Sequence, residues 1–530
     1  YRLPVGGSNT AAATPVYNNP GWTINEQDNP NKVNRFNFAP ELNYKITNNV
    51  TITGRYGLDY YTDFRGTFFP RYSSGSEQLG SYQEDNISEK TETFNIFGQG
   101  QHDISENFGF DWILGTQLDR NQYKRLSGYS NGFTNVDVGD LRIFGNAEAA
   151  NEIPSQFRSE ARKMGVYAVA NFNLWNQLLI SATGRIERPS TLEDNVFYPS
   201  VSAGWKFTEA FGESNFLSFG KLRASAARTA NIAGPYNTAN NFVSAGTADG
   251  WTNGVNFPFL NQTGFQVNTA LGNPGLKHET QESWEVGADL KFFKNRFGID
   301  FTYFNNTNTD LLMPVPIARS SGFSSIFLNA ASMESKGIEI SVNASPIQTE
   351  DFQWDLSANF TQFTNIVTGL ADGVDNIFLG GFTTPQVRAV VGEEYRSIFG
   401  EDWVRDANGT VIINDDPTDA YRDGYPFNNT AQGLVPIGNF NPDWTANITN
   451  TFKYKNFGLS FLIDVKQGGV MYNGTAFAMN FFGVHERTEN REVYFDSNGQ
   501  IDFAATPAES TISAFINTSV CAEAVDISVW

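Results

Sequence analysis

Residues 283–304 read SWEVGADLKFFKNRFGIDFTYF. Taken alternately, Trp284, Val286, Ala288, Leu290 and Phe292 fall on one face, and Ser283, Glu285, Gly287, Asp289 and Lys291 on the other. After the link Phe293-Lys294-Asn295-Arg296 the alternation resumes, with Phe297, Ile299, Phe301 and Tyr303 against Gly298, Asp300 and Thr302. A period of two is the signature of a β-strand, and so short a link between two such runs makes them a hairpin. The polar rows carry full charges, while the apolar rows are rich in aromatics. A water-soluble sandwich would turn its apolar rows inward. A membrane barrel inverts that arrangement, with apolar residues facing lipid, charged ones lining a wet lumen, and aromatic girdles at the interfaces. One hairpin does not choose between the two; its repetition along the chain does.

The pattern recurs in seven hairpins. VNRFNFAPELNYKI (Val33–Ile46) precedes VTITGRYGLDYY (Val50–Tyr61), and TFNIFGQGQHDI precedes FGFDWILGTQLD. MGVYAVANFNL is followed by LLISATGRIE, and FYPSVSAGWKF by LSFGKLRASAA. The hairpin at 283–304 is the fifth. KGIEISVNA with FQWDLSANFT is the sixth, where Ile338, Ile340, Trp354 and Leu356 oppose Glu339 and Asp355. WTANITNTFKY with FGLSFLIDVK closes the series, and EAVDISVW near the end reads as the start of one more strand. Within each pair the link is short. Between pairs the links read as long: about 30 polar residues after Tyr61, about 50 from Asn231 to Gln281, and about 70 from Gly369 to Gly438. Tight turns on one side and long loops on the other are the habit of outer-membrane barrels. Only helices and closed barrels satisfy every backbone group in lipid. The expected fold is therefore all-β, a large transmembrane antiparallel barrel of which about fourteen strands are readable, with a large soluble β-protein as the competing reading.

Composition agrees. No apolar run among the 530 residues approaches the length of a membrane helix, and Phe alone numbers 46, an excess that suits strands and interface belts. A net charge of −21 repels nucleic acid. The single cysteine, Cys521, forms no internal disulfide, and His102, His278 and His485 lie too far apart for metal-ligand spacing, so no cofactor or metal is expected. The chain opens on YRLPVGG without a readable signal peptide, as if in mid-protein, and both ends read as truncations.

Three patterns suggest chemistry. Gly128-Tyr129-Ser130-Asn131-Gly132 matches a nucleophile-elbow spacing, but that motif needs a helix after it and FTNVDVGDLRIF follows; a Gly-rich surface loop is the better reading. Asp406-Ala407-Asn408-Gly409 begins like a calcium loop, but no Glu stands at the twelfth place, and a tight turn inside a loop hairpin explains it. Glu285, Asp289, Asp300, Glu339 and Asp355 could pair as acid and base, yet regular spacing along a wetted wall accounts for them more simply. The assignment is thus Trp284, Val286, Ala288, Leu290, Phe292, Phe297, Ile299, Phe301, Ile338, Ile340, Trp354 and Leu356 to lipid, and Glu285, Asp289, Lys291, Asp300, Glu339 and Asp355 to the lumen. The long loops are dense in Asn, Gly and aromatics. Aromatic faces stack on sugars and Asn hydrogen-bonds them, so Tyr236, Trp251, Phe257 and Trp403 are the candidate substrate contacts. No catalytic set is expected, so the chain reads as a non-enzyme.

Several strings resemble one family in order and spacing: FYPSVSAGWKF, LSFGKLRASAARTAN, NPGLKHETQESWEVGADLKFF, NAASMESKGIEISVNASPI, VVGEEYRSIFG and IGNFNPDWTANITNTFKYKNFGLSFLIDVKQGG. They are similar to the SusC/RagA-like TonB-dependent transporters of the Bacteroidetes outer membrane, over most of Lys32 to Gly469. The turn RIERPSTLE, with Pro189, departs from the family pattern. The resemblance implies a barrel of about 22 strands with a plug inside it and a TonB box ahead of the plug. It implies a SusD-like surface lipoprotein as lid, the TonB complex as energy source, an outer-membrane location, and active import of oligosaccharides or peptides. No plug is readable here, so residues 1–530 are expected to be part of the barrel domain, with further strands and the plug encoded before Tyr1 and closing strands after Trp530. A siderophore or vitamin receptor, a barrel hydrolase using His278, and a non-transport surface protein are the alternatives.

Overall fold

A computed structural model describes Asn18 and residues 20–486 apart from 75–76, 136–141, 148–151, 213, 215, 248–254, 258, 261, 415–425, 429–432 and 482–483, together with residues 524–526. Its main feature is one antiparallel sheet in which each strand pairs with its neighbours in sequence. The path begins with Asn31–Phe38 and Glu41–Lys45, which lie end to end along one edge of Val50–Phe69. The break between them is Ala39-Pro40, where proline has no N–H to give the ladder. Ser81–Ser105, Phe108–Asn131, Glu152–Leu174, Leu178–Pro189, Val196–Lys206 and Leu217–Asn231 follow. Glu279–Phe292, Phe297–Pro316, Ser325–Gln348, Phe352–Leu370, Trp444–Tyr454 and Phe457–Gln467 complete the path. The seven hairpins stand where the alternation puts them.

The register explains why period two holds across the whole wall. Trp205, Leu222, Ala288, Phe301, Ile340, Phe360, Ala446 and Val465 lie opposite one another in turn across eight strands. One residue along, Lys206, Lys221, Asp289, Asp300, Ser341, Asn359, Asn447 and Asp464 form the same row on the other face. A slip of one residue in any pair would exchange the two rows, so the apolar face fixes the register.

Close backbone approach is needed where strands cross tightly. A Cβ at Gly337 would lie 2.3 Å from the carbonyl oxygen of Gln362 on the next strand. The short links use left-handed backbone at Trp175-Asn176, at Phe293-Lys294-Asn295 and at Lys455, the twist that tight hairpins require. The fourth link differs, carrying the short helix Phe207–Phe211.

Strand length departs from expectation. The stretch of about 30 residues expected as loop after Tyr61 is mostly strand: the ladder runs unbroken to Phe69↔Ser81 and leaves only residues 70–80 as connection. The same extension carries the next pair up to Ser81↔Asn131. Gly128–Ser130, expected in a surface loop, therefore lie in a strand; Ser130 is fully buried, and no helix follows at residues 132–135. About 9–11 tilted residues cross a bilayer, so strands of 25, 24 and 23 residues rise well beyond it. Two links on the long side are in fact short, 190–195 and 317–324.

The two longest loops are not structureless. In residues 232–278, Phe242–Ser244 pairs with Phe265–Val267, Gly246–Thr247 with Val255–Asn256, and Ala270–Leu271 runs parallel to Ser325–Ile326. Residues 371–443 hold a four-stranded sheet of Asn376–Gly381, Gln386–Val390, Ser397–Gly400 and Val435–Asn439. Ile377 and Ala389 of that sheet pack on Val315, Ala330 and Val367 of the wall, a core with all five residues buried. Ala524–Asp526 pairs with Val470–Tyr472, in the segment expected to begin another strand.

Candidate functional site

The polar face is built as a hydrogen-bonded lattice. Arg223 extends across two strands: its Nε donates to Asp289 Oδ1 at 3.1 Å, and its Nη2 donates to Asp300 Oδ1 and Thr302 Oγ1, both at 2.7 Å. Lys221 Nζ stands 3.5 Å from Asp289 Oδ2. Gly287 makes this possible, since a Cβ there would meet the Arg223 guanidinium carbon at 2.9 Å and the Phe301 carbonyl at 2.7 Å. Further round the wall, Arg185 donates to Glu187 at 2.7 Å and to Gln117 at 3.2 Å. Tyr167 donates to Asn95 at 2.8 Å. Asp355 accepts from Ser345 and Gln353, each at 2.7 Å.

Of the six polar residues expected on this face, Asp289 and Asp300 are brought together by Arg223, while Asp355 sits in its own cluster. Lys291 Nζ lies over the Phe219 ring at 5.5 Å. Glu285 and Glu339 take part in none of the ion pairs among the described residues. Glu285 instead edges a hollow of about 550 Å³ whose wall includes Asp111, Ser181, Ser202, Lys221 and Arg223. Asp289, Asp300 and Asp355 are thus each held by guanidinium, hydroxyl or amide donors of the wall. Arg223, missed from the sequence, is the residue that organises the cluster. Its alternation with Lys221 and Ser225 was visible, but its partners lie 66 and 77 residues away.

Of the loop aromatics, Tyr236 and Phe257 belong to the 232–278 excursion and Trp403 to the 371–443 one. Tyr236, with its backbone in the left-handed region, is 48% exposed at the base of the 232–278 excursion, where its carbonyl accepts from Asn241 at 3.2 Å. Phe257 is half-buried, its ring lying against Gly264. Trp403 belongs to the other excursion, bridged to Asn428. Trp251 lies outside the described residues. Next to Trp403, Asp406-Ala407-Asn408-Gly409 is the tight turn expected. Asp406 Oδ1 accepts the backbone N–H groups of Asn408 and Thr410, both at 2.8 Å, and Gly409 has φ +83°. Those two amides hold the Asp406 carboxyl below its ordinary value. Where this excursion meets the wall, Glu394 is driven the opposite way. Burial pushes its carboxyl up, and the negative charge of Asp443 adds to the shift. Among the described residues, His278, the residue a hydrolase reading needs, hydrogen-bonds the Thr280 hydroxyl and the Glu279 carbonyl, at 3.2 and 3.3 Å.

The decisive comparison is with family models: residues 1–517 match the TonB dependent receptor-like β-barrel. The chain belongs to the TonB-dependent receptor β-barrel family. The wall described above is thus that of an outer-membrane barrel. TonB-dependent receptor P3 of Formosa agariphila is 26% identical over 457 residues, 79% of this chain and 44% of the relative. TonB-dependent receptor SusC of Bacteroides thetaiotaomicron is 27% identical over 504 residues, 89% of this chain and 48% of the relative. The chain therefore spans about half the length of the curated relatives it matches. Among solved structures, the RagAB peptide transporter superposes with a TM-score of 0.73 at 17% identity, over 95% of this chain and 56% of its own, a likeness of fold.

Proposed function

We propose that this chain is the barrel wall of an energy-coupled outer-membrane importer that takes up oligosaccharides or peptides, working with a SusD-like surface lipoprotein as lid and with the TonB complex. The observation that supports this most is the pair of unbroken rows, apolar on one face and polar on the other, in a chain of this family. In this reading Trp284, Val286, Ala288, Leu290, Phe292, Phe297, Ile299, Phe301, Ile338, Ile340, Trp354 and Leu356 meet acyl chains, and Glu285, Asp289, Lys291, Asp300, Glu339 and Asp355 line the lumen. The Arg223 lattice keeps the wall rigid and its charges neutralised, so solute passes a wetted, non-reactive surface. Tyr236, Trp251, Phe257 and Trp403 offer aromatic faces to substrate held beneath the lid. No bond is made or broken. The SusC and RagAB relatives support the choice of substrate class and partner.

The test is mild-detergent extraction of the full-length protein from its native membrane at low salt. A stoichiometric surface lipoprotein in the purified complex, and uptake of a labelled glycan or peptide that stops when TonB is removed, are expected. A barrel that always purifies alone and transports neither ligand would contradict the proposal.

A further inference from the structure

The apolar face ends abruptly on the strands between residues 81 and 189. On Phe108–Asn131 its residues are Phe110, Trp112, Leu114, Thr116 and Leu118. Residues 110–118 are about the length that crosses hydrocarbon at a barrel's tilt. Opposite Leu118 stand Phe94 and Met164, and opposite Met164 stands Arg188. One step further on the same face come Glu92, Arg120 and Arg162, and beyond them Lys90, Glu160, Lys124 and Arg158. Six cations thus face three anions, counting Glu193 of the adjoining turn, in a chain whose overall charge is −21.

Part of this charge is internally neutralised. Arg120 and Arg162 clasp Glu160 at 3.0 and 2.5 Å, and Lys90 meets Glu92 at 2.9 Å. Lys124, Arg158 and Arg188 are exposed and form no ion pair among the described residues. Arg188 stands beside a hollow of about 820 Å³ with Phe94, Leu118 and Met164 as its apolar side and Arg120 and Arg162 at its charged rim. Ser190, Leu192 and Glu193 of the short turn at 190–195 close one side of this space.

We propose that this hollow and the cations above it hold the phosphate-bearing headgroup of an outer-leaflet glycolipid. The inference rests on the apolar face meeting lipid. Two residues beyond Leu118 along a strand is about 7 Å, which places Arg120 at the edge of the hydrocarbon, where headgroup phosphates lie. Lys124 is about 20 Å along, or about 14 Å higher at a tilt of 45°, the level of a second phosphate or of headgroup sugars. Guanidinium forks match phosphate oxygens bidentately, and acyl chains continue over Phe94, Leu118 and Met164. The glycolipid then packs against the transporter as a fixed neighbour.

The experiment uses the full-length protein in nanodiscs of brominated phosphatidylcholine containing a few molecules of either diphosphoryl lipid A or its dephosphorylated form. After purification in detergent, retained lipid is counted by mass spectrometry, while quenching of tryptophan by bromine reports acyl contact. Preferential retention of the diphosphoryl lipid is expected. The triple variant K124Q/R158Q/R188Q should lose it roughly tenfold or more, as charge-assisted hydrogen bonds are removed. K124R, which keeps every charge and both guanidinium forks, should keep all of it, and all three proteins should be quenched alike. Equal retention of both lipids, or no change in the triple variant, overturns the proposal while leaving the lipid face intact. Absence of quenching in every sample overturns the lipid face itself.

Discussion

The hairpin at 283–304 and the excursion at 371–443 sit on the same wall, yet they are specified differently. In the hairpin, one residue in two is apolar and its neighbour charged, so each side chain has one permitted environment and the register follows. In the excursion, no alternation persists. Its four strands are held by a small core, Ile377 and Ala389 against Val315, Ala330 and Val367, and by main-chain bonds such as Val367 N–H to Glu393 oxygen at 3.0 Å. The lesson is that a membrane wall is specified by its two solvents, whereas a loop domain is specified by contacts that only the folded chain assembles.

The largest expected effect comes from violating the solvent rule. Val286→Arg, on the apolar face, should cost about 2–4 kcal/mol in reversible unfolding from lipid, and Glu285→Arg, its immediate neighbour, far less. Comparable costs would show that the two faces see the same medium. Next is backbone spacing. Gly337→Ala must push its new Cβ away from the Gln362 carbonyl, which lies 2.3 Å from that position, and should cost about 1–3 kcal/mol. A neutral result would mean that the two strands separate freely.

A smaller effect is expected for Arg223→Met. The side chain is 31% exposed, so water screens much of the interaction, and the loss of about 1 kcal/mol should come chiefly from leaving Asp289 and Asp300 side by side. Adding Asp300→Asn should recover part of it; a double variant no better than the single would break the assignment of Arg223 as the link.

The smallest effect separates the excursion from the wall. The Glu394 carboxyl is raised in the fold, so the folded state keeps its proton at a pH where the unfolded chain has released it. Stability should therefore fall as pH rises from the ordinary glutamate range through the folded value. Glu394→Gln should abolish that slope in hydrogen exchange of residues 376–400, with the wall amides unchanged. A slope that survives the substitution would locate its cause elsewhere.

What could be read from the sequence follows the same division. All seven hairpins are legible, because period two survives wherever one face meets an apolar medium. The upper halves of the strands are not, since residues such as Ser88, Gln122 and Arg158 continue the ladder beyond the apolar rows, and polarity there mimics a loop. The small sheets in the two excursions are hidden for another reason: their strands are too short to show a period, and the core that Ile377 and Ala389 join is assembled from residues distant in sequence. The carboxylates at Asp289 and Asp300 are legible as a row, but the Arg223 that joins them reaches across strands distant in sequence. The loop aromatics are legible as members of two loops, Tyr236 and Phe257 in one and Trp403 in the other, but the pairings around them, such as Trp403 with Asn428, are not.

The most direct test of the two-faced wall is a cysteine scan of Glu279–Phe292 in the full-length protein, with Cys521 replaced. Cysteines at 284, 286, 288 and 290 should react with a thiol reagent dissolved in the lipid and resist a water-soluble one. Cysteines at 283, 285 and 289 should be silent to the lipid reagent. Equal labelling of both sets from the lipid, or the reverse parity, would contradict the account.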